Sequence, residues 1–353
     1  MVIDSLRCAA VRLGRHPQDH GWRELYRLIA GALGRPESEF ARLVRDCRAG
    51  RLEFSDTHFV TMIGIALKFN LPEQQFTGLV NSDSRAARLT LLDDAVQNHL
   101  AEIASTLASR QNSFTGARRF LVPQTILAAC MSGYRGPAVN FADFGTGLGI
   151  LPRQLNSVSM YERFAGDLRW PSGIPAFCPL PVGRKFGVDR AEFPSLKWVR
   201  ACYGSSAYYR DLYGEVLDVL AVLSDDPADT CLVAVDLLDS DALRRFVQDN
   251  RIGMANFCYS LYEFSWEKRT QVIATVLDSL APPGLALVIE PRAELTQQGC
   301  EVVLHSRDHG RPLSLCTVSD GHFKGVVRAG DDYEYFTDRY PIEFSRESVR
   351  NEP

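Results

Sequence analysis

The segment that most constrains this chain is Asn140-Phe141-Ala142-Asp143-Phe144-Gly145-Thr146-Gly147-Leu148-Gly149-Ile150-Leu151. A mainly apolar run that reads as a buried strand enters three glycines at alternate positions, and an apolar helical pattern follows. Glycine has no Cβ, so the backbone can turn tightly there, approach a ligand closely and let the helix pack back on the strand. A strand, a glycine turn and a helix in that order belong to an α/β fold with a parallel sheet. The spacing is G-x-G-x-G, one residue short of the G-x-x-G ending of the dinucleotide fingerprint. That shortening removes room for a pyrophosphate, and an acid, Asp143, stands two residues before the first glycine.

The rest of the chain extends this reading. After Gly136-Pro137, short apolar runs at 139–144, 184–188, 231–235, 254–259 and 285–289 alternate with helical patterns at 205–223, 241–250 and 266–280. Strands that alternate with helices predict a parallel sheet covered on both faces. The end differs: 301–305, 313–318 and 322–327 read as a meander, with turns at Asp308-His309-Gly310 and Asp320-Gly321. Upstream the texture is helical. Trp22, Leu25, Leu28, Ile29 and Leu33 form one stripe, and Leu92, Val96, Leu100, Ile103 and Leu107 another. A further helix is expected over 116–131, with Pro123 kinking or restarting it. The expected layout is a helical N-terminal lid domain over 1–132 and, over 133–353, a Rossmann-like domain. Its sheet is mostly parallel and ends in antiparallel strands.

Composition narrows the partners. Hydrophobic residues are 46% and charged residues 23% of 353 positions, an ordinary balance for a globular chain with a sizeable core. Net charge is −4, with basic residues dispersed rather than striped, so no nucleic acid is expected as partner. No stretch approaches the ~18 apolar residues that cross a bilayer. The N-terminus lacks the apolar core and cleavage site of a secretory leader. The expectation is a cytoplasmic protein with no membrane partner. The nine cysteines form no C-x-x-C pair and the seven histidines are scattered along the chain, so no metal is expected. Nor is there a G-x-S-x-G or a G-x-x-x-x-G-K-[ST], which removes serine hydrolase and P-loop readings.

The glycine segment resembles motif I of the class I S-adenosylmethionine-dependent methyltransferases, a strand followed by D/E-x-G-x-G-x-G. The resemblance implies S-adenosylmethionine as co-substrate, with Gly145, Thr146, Gly147 and Gly149 around its methionine part and Asp143 at its amino group. It also implies an acid for the ribose hydroxyls at the end of the second strand. Asp189 fits by type, although it lies 46 residues beyond Asp143, against a usual dinucleotide spacing of about 20. Trp170-Pro171, Pro175 and Pro179-Leu180-Pro181 within that interval read as an inserted hairpin or loop; the alternative is that Asp189 caps the next element. Asp236 and Leu237, after the third strand, match the adenine position, while Asp239 or Ser240 is free to cap the helix beginning near 241. Tyr259, Ser260 and Tyr262, ending the fourth strand, are expected to face the sulfonium or the acceptor, an aromatic ring being a favourable neighbour for a cation.

Over 88–325 the chain also resembles a little-characterised, mainly actinobacterial branch of that superfamily. Gln111-Asn112 with Gly116, the glycine loop, Val188-Asp189, Trp198-Val199-Arg200-Ala201-Cys202-Tyr203 and His309-Gly310-Arg311-Pro312-Leu313 carry the likeness, which brings Gln111 into the cofactor set. The chain departs from the branch at Phe144-Gly145-Thr146-Gly147, where small residues are usual, and in Arg118 and Arg119, displaced from the family arginine.

The resemblance implies methyl transfer to a small molecule or peptide, as in natural-product tailoring. The protein then aligns donor and acceptor and excludes water, with Tyr259, Tyr262 and Ser205 as catalytic candidates and Glu263 as a further base. The polar and aromatic cluster from Tyr203 to Tyr213 reads either as a site for a small carboxylate or amino acid, or as a well-capped helix. Two other functions are compatible with the sequence. One is a cyclase that turns S-adenosylmethionine into azetidine-2-carboxylate or aminocyclopropane carboxylate with release of methylthioadenosine and needs no acceptor. The other is a non-catalytic nucleoside-binding module. The oligomeric state is open, a homodimer included.

Overall fold

The computed structural model describes residues 2–15, 19–82, 84–190, 193–224, 230–291, 299–307 and 309–345. Six helices come first: α1 (Val2–Leu13), α2 (His20–Leu33), α3 (Glu39–Ala49), α4 (Asp56–Asn70), α5 (Glu73–Asn81) and α6 (Arg85–Ser109). Then follow α7 (Leu121–Cys130), β1 (Val139–Phe144), α8 (Ile150–Gln154), α9 (Val158–Phe164), β2 (Leu168–Arg169), β3 (Val182–Asp189), α10 (Leu196–Cys202) and α11 (Ala207–Ser224). The remainder is β4 (Thr230–Ala234), α12 (Ser240–Asp249), β5 (Ile252–Cys258), α13 (Trp266–Ser279), β6 (Leu285–Pro291), β7 (Cys300–Ser306), β8 (Leu313–Val318), β9 (Gly325–Ala329) and α14 (Tyr333–Arg339). None of the described helices is long and apolar enough to cross a membrane.

Two compact units result. The helical unit comprises 1–114, 194–214 and 263–265, and the sheet unit 115–193, 215–262 and 266–353. The division falls at 114/115 rather than at 132/133, and α10 with the first turns of α11 joins the helices. Tertiary packing assigns those later segments, and their position in the chain does not reveal it.

In the helical unit, α4 is the central element, buried from Thr57 to Leu67 except at Thr61. Its Gly64 admits the Trp22 ring of α2, since a Cβ would lie 2.6 Å from that ring. Ser38, Ser55 and Ser84 start their helices in the extended region, each accepting a hydrogen bond from an N–H of the first turn. α6 is broken at His99, where φ is −128° and ψ 25°.

In the sheet unit nine strands run in the order β2-β9-β8-β7-β6-β5-β1-β3-β4. From β4 to β6 neighbours are parallel, and from β6 to β9 antiparallel. The chain steps from β1 outward to β3 and β4, then returns to β5 and β6 on the other side. β1 therefore marks the switch point at which ligands of open α/β sheets bind, outside the carboxyl ends of the strands. This is a Rossmann-like α/β fold with an antiparallel finish. Phe144 stacks on Phe257 at 5.0 Å, and Phe246 meets Phe144 and Phe186 edge-on at 6.2 and 5.6 Å. This aromatic core backs the ends of β1, β3 and β5.

Three expectations need correction. The helix expected from 116 begins only at Leu121, so of the two readings of Pro123 the restart holds and the kink does not: the proline occupies the first turn, where its missing N–H costs nothing. The last strand starts at Gly325, not at 322. His322 N–H donates to Asp320 Oδ1 at 2.6 Å and Phe323 has φ +60°, so these residues form a turn instead. β2 is two residues long and pairs with β9; too short for a periodic pattern, it went unanticipated. Asp308 of the expected turn lies outside the described residues.

Candidate functional site

At the carboxyl end of β1 the glycines have φ of +77° (Gly145), +58° (Gly147) and +67° (Gly149), values that side chains resist. Gly145 is also a point of contact: a Cβ there would lie 2.3 Å from Ser260 Cβ. A Cβ on Gly149 would lie 2.5 Å from Leu232 Cδ2, so this glycine lets α8 start against β4.

The loop turns its amides inward. Gly145 N–H and Thr146 N–H both donate to Val188 O, at 2.8 and 3.1 Å, and Gly147 N–H donates to Asp189 Oδ2 at 2.7 Å. Asp189 thereby fastens the loop to the end of β3, while its Oδ1 accepts from Arg190 N–H at 2.8 Å. Burial raises its carboxyl above the usual range against the pull of these amides.

Asp143 is 3% exposed and stands opposite Asn256 in the β1–β5 register. The Asn256 amide donates to its Oδ1 at 2.7 Å. Burial pushes this carboxyl up to about 7, opposed by the Asn256 hydrogen bond and the nearby Thr146 hydroxyl. Asn256 Oδ1 is buried with no hydrogen-bond partner among the described residues. After β4, Asp236 accepts from Leu238 N–H at 3.0 Å and pairs with Arg190 at 2.9 Å, with both side chains part-exposed. Leu237 beside it is buried. Asp239 accepts from Ala242 N–H at 3.0 Å and caps α12.

Past β5, Tyr259 has φ +57°. The Arg119 guanidinium covers one face of its ring at 4.3 Å, so that face already holds a cation. Burial pushes the Tyr259 hydroxyl well up, and the nearby Cys300 thiol adds to that. A hydroxyl held protonated can donate but cannot act as a base. Tyr262 lies 6.2 Å from Tyr259, ring to ring. Below them Glu290 accepts from three successive N–H groups, Ser260 at 3.0, Leu261 at 2.8 and Tyr262 at 3.0 Å. Removal from water pushes its carboxyl up to about 7 despite those bonds.

Arg118 and Arg119 part company. Arg118 binds Asp167 at 2.7 Å and also Glu215, which Lys324 holds from another side at 2.9 Å. The two cations keep Glu215 down at about 2. Burial, helped by the nearby cations, holds His322 at about 3, a neutral imidazole. Through Glu215 of α11, Arg118 and Lys324 tie together the segments just before β2 and β9.

The other sequence candidates belong to the helical unit. Gln111 accepts from Trp198 Nε1 through its carbonyl at 2.8 Å. Ser205 Oγ lies 3.4 Å from Asp19, whose other oxygen accepts from Ser206 N–H at 2.6 Å. Glu263 is buried, with Oε2 3.6 Å from His58 Nε2. In the sheet unit, then, the fold gathers Asp143, Gly145, Thr146, Gly147, Gly149, Asp189, Asp236, Leu237 and Tyr259 around the ends of β1, β3, β4 and β5. Asn256, Glu290 and Arg119 complete that end without having been singled out for it. The signal existed for the first two: each is a polar residue within or closing an otherwise apolar strand, which needs a partner to be buried.

No family model matches the chain, and no curated protein matches it. Among the solved structures that resemble it weakly are three methyltransferases. CalS10, an amino pentose methyltransferase from Micromonospora echinaspora involved in calicheamicin biosynthesis, is 11% identical over 53% of this chain and 63% of its own, with a TM-score of 0.27. The plantazolicin methyltransferase BamL, in complex with a triazolic desmethylPZN analog and SAH, is 9% identical over 65% of this chain and 59% of its own, with a TM-score of 0.24. CalS11, a calicheamicin methyltransferase, is 16% identical over 63% of this chain and 77% of its own, with a TM-score of 0.26. The match spans about three fifths of the length of each of the first two.

Proposed function

We propose that the carboxyl end of the sheet binds S-adenosylmethionine and that the protein transfers its methyl group to a small molecule or peptide. The observation that carries this reading is electrostatic. The glycine loop spends its N–H groups on Val188 O and Asp189 Oδ2, so it does not offer the row of free amides that a pyrophosphate needs. What stands around it is acid: Asp143, Asp189 and Asp236 at the ends of β1, β3 and β4. A ligand carrying an ammonium and a sulfonium suits that environment, and a dinucleotide with two phosphates does not.

The residues fit the group. Asp143 would meet the ammonium, Asp189 the ribose hydroxyls, and Asp236 with Leu237 the adenine. The buried Asn256 Oδ1 offers an acceptor beside Asp143. When bound, S-adenosylmethionine supplies an electrophilic methyl on a cationic sulfur. The chain's own part is to hold and orient. Asp189 fixes the loop, Glu290 fixes the turn that carries Tyr259 and Tyr262, and Arg119 occupies one ring face of Tyr259 so that only the remainder of that side chain is open to a ligand. With Tyr259 held protonated, it can orient an acceptor by donating a hydrogen bond but does not remove its proton.

Calorimetry with S-adenosylmethionine, S-adenosylhomocysteine and NAD tests the reading. The first two should bind and NAD should not; NAD binding with S-adenosylmethionine ignored overturns it. Incubation with S-adenosylmethionine alone then separates the reactions. Methylthioadenosine appearing without an acceptor would replace methyl transfer by cyclisation.

A further inference from the structure

We propose that the helical unit binds a small organic anion, a carboxylate or phosphate monoester with an aromatic or apolar body, in the cavity among α2, α4, α5, α6 and α10. The cavity measures about 730 Å³, within the range of sites that enclose small molecules. Every residue that lines it belongs to the helical unit. Six of them define the chemistry: Lys68 and Phe69 on α4, Phe76 on α5, His99 on α6, and Lys197 and Arg200 on α10.

The positive charges in this wall outnumber its carboxylates: Lys68, Lys197 and Arg200 against Asp19 and Glu73. Among the described residues Lys197 and Arg200 form no ion pair; the Lys197 ammonium instead rests over the Phe69 ring at 4.6 Å. Lys68 donates to a carbonyl, Tyr203 O, and lies 5.7 Å from the Trp22 ring. Burial works most strongly against its charge and Arg200 adds to that, while Cys202 and Asp19 partly offset both. Two acids line the same cavity. Asp19 is already committed, accepting from Gly21 N–H at 3.0 Å, Trp22 N–H at 3.4 Å and Ser206 N–H at 2.6 Å, and so caps both α2 and the start of α11. Glu73 is exposed at the start of α5. Lysine and arginine side chains in excess over the carboxylates, two of them without an ion pair among the described residues and one over an aromatic ring, are what an anion with a flat or apolar body completes.

The break in α6 points the same way. Its backbone leaves helical values at His99, although α6 contains neither proline nor glycine, the usual causes. Off-region backbone inside a helix concentrates at ligand sites, and His99 lines this one.

The proposal is independent of the methyl-transfer reading, and its test contains no S-adenosylmethionine. The full chain is titrated by calorimetry with phenyl phosphate, 3-phenylpropionate, inorganic phosphate and the neutral 3-phenylpropanol. One of the two aromatic anions should bind saturably at one per chain, and the alcohol at least about tenfold more weakly. Tighter binding of phenyl phosphate assigns the headgroup as phosphate, and the reverse as carboxylate. The exposed pair Lys197→Gln and Arg200→Gln should weaken the better anion about tenfold or more while leaving the thermal midpoint in place. Lys68→Met, made separately, should weaken it as well. Absence of binding by both aromatic anions, equal binding of the alcohol, or wild-type affinity in the double variant overturns the proposal.

Discussion

The buried carboxyl of Asp143 should make cofactor binding depend on pH, and the sign follows from its environment. Burial holds it at about 7 in the free protein, so it is mostly neutral at pH 6 and half ionised at pH 7. Meeting an ammonium requires the ionised form. A cation at hydrogen-bond distance lowers a carboxyl by roughly 1–3 pH units. Taking about 2, the bound carboxyl titrates near 5, and affinity falls about tenfold between pH 7 and pH 5.5, or about 1.4 kcal/mol. Binding at pH 6 should release about 0.8 of a proton, which makes the calorimetric enthalpy depend on the ionisation heat of the buffer. The α-amine of the ligand stays protonated throughout this window, so the effect reports the protein. Titrations of S-adenosylmethionine at pH 5.5, 6, 6.5 and 7 in two buffers measure both quantities. Asp143→Asn should bind more weakly and show neither dependence. An affinity flat to within twofold over that range, with no buffer dependence in the wild type, would refute the placement of an ammonium at Asp143.

Other outcomes follow from the same geometry. Gly145→Ala puts a methyl 2.3 Å from Ser260 Cβ at φ +77°; left-handed strain and overpacking together should cost about 2–5 kcal/mol in urea unfolding and abolish cofactor binding. Asn256→Leu removes the 2.7 Å hydrogen bond to Asp143 and should cost about 1–3 kcal/mol at pH 8, less at pH 5 where the carboxyl is neutral, by denaturation at the two pH values. Glu290→Ala strips the acceptor from three N–H groups and should cost at least about 2 kcal/mol, read as a shift in the urea midpoint. Asp143 and Glu290 are both raised to about 7. The unfolded chain gives up these protons first, so ligand-free stability from both groups should decline as pH rises from about 4.5 to 7, a slope that Asp143→Asn reduces.

Much of the sheet was legible in the residues because its signals are local. A run such as Ile252 to Cys258 is apolar at nearly every position since both faces are covered, and glycines at 145, 147 and 149 announce a turn that side chains cannot make. Burial patterns along the chain therefore revealed the strands, the alternation and the loop. Interactions between distant positions were not legible. That Asn256 faces Asp143 depends on the register of two strands 113 positions apart. That Arg119 covers Tyr259 and Arg118 does not depends on which side of one turn each guanidinium leaves. Asp189 was visible as an acid after a strand; that it grips the loop amide of Gly147, leaving acids rather than amides around the glycines, is a consequence of β3 lying beside β1. Periodicity encodes which face of an element is buried. Which charged groups share that buried space, and so the sign of the ligand it welcomes, is decided only when the chain closes on itself.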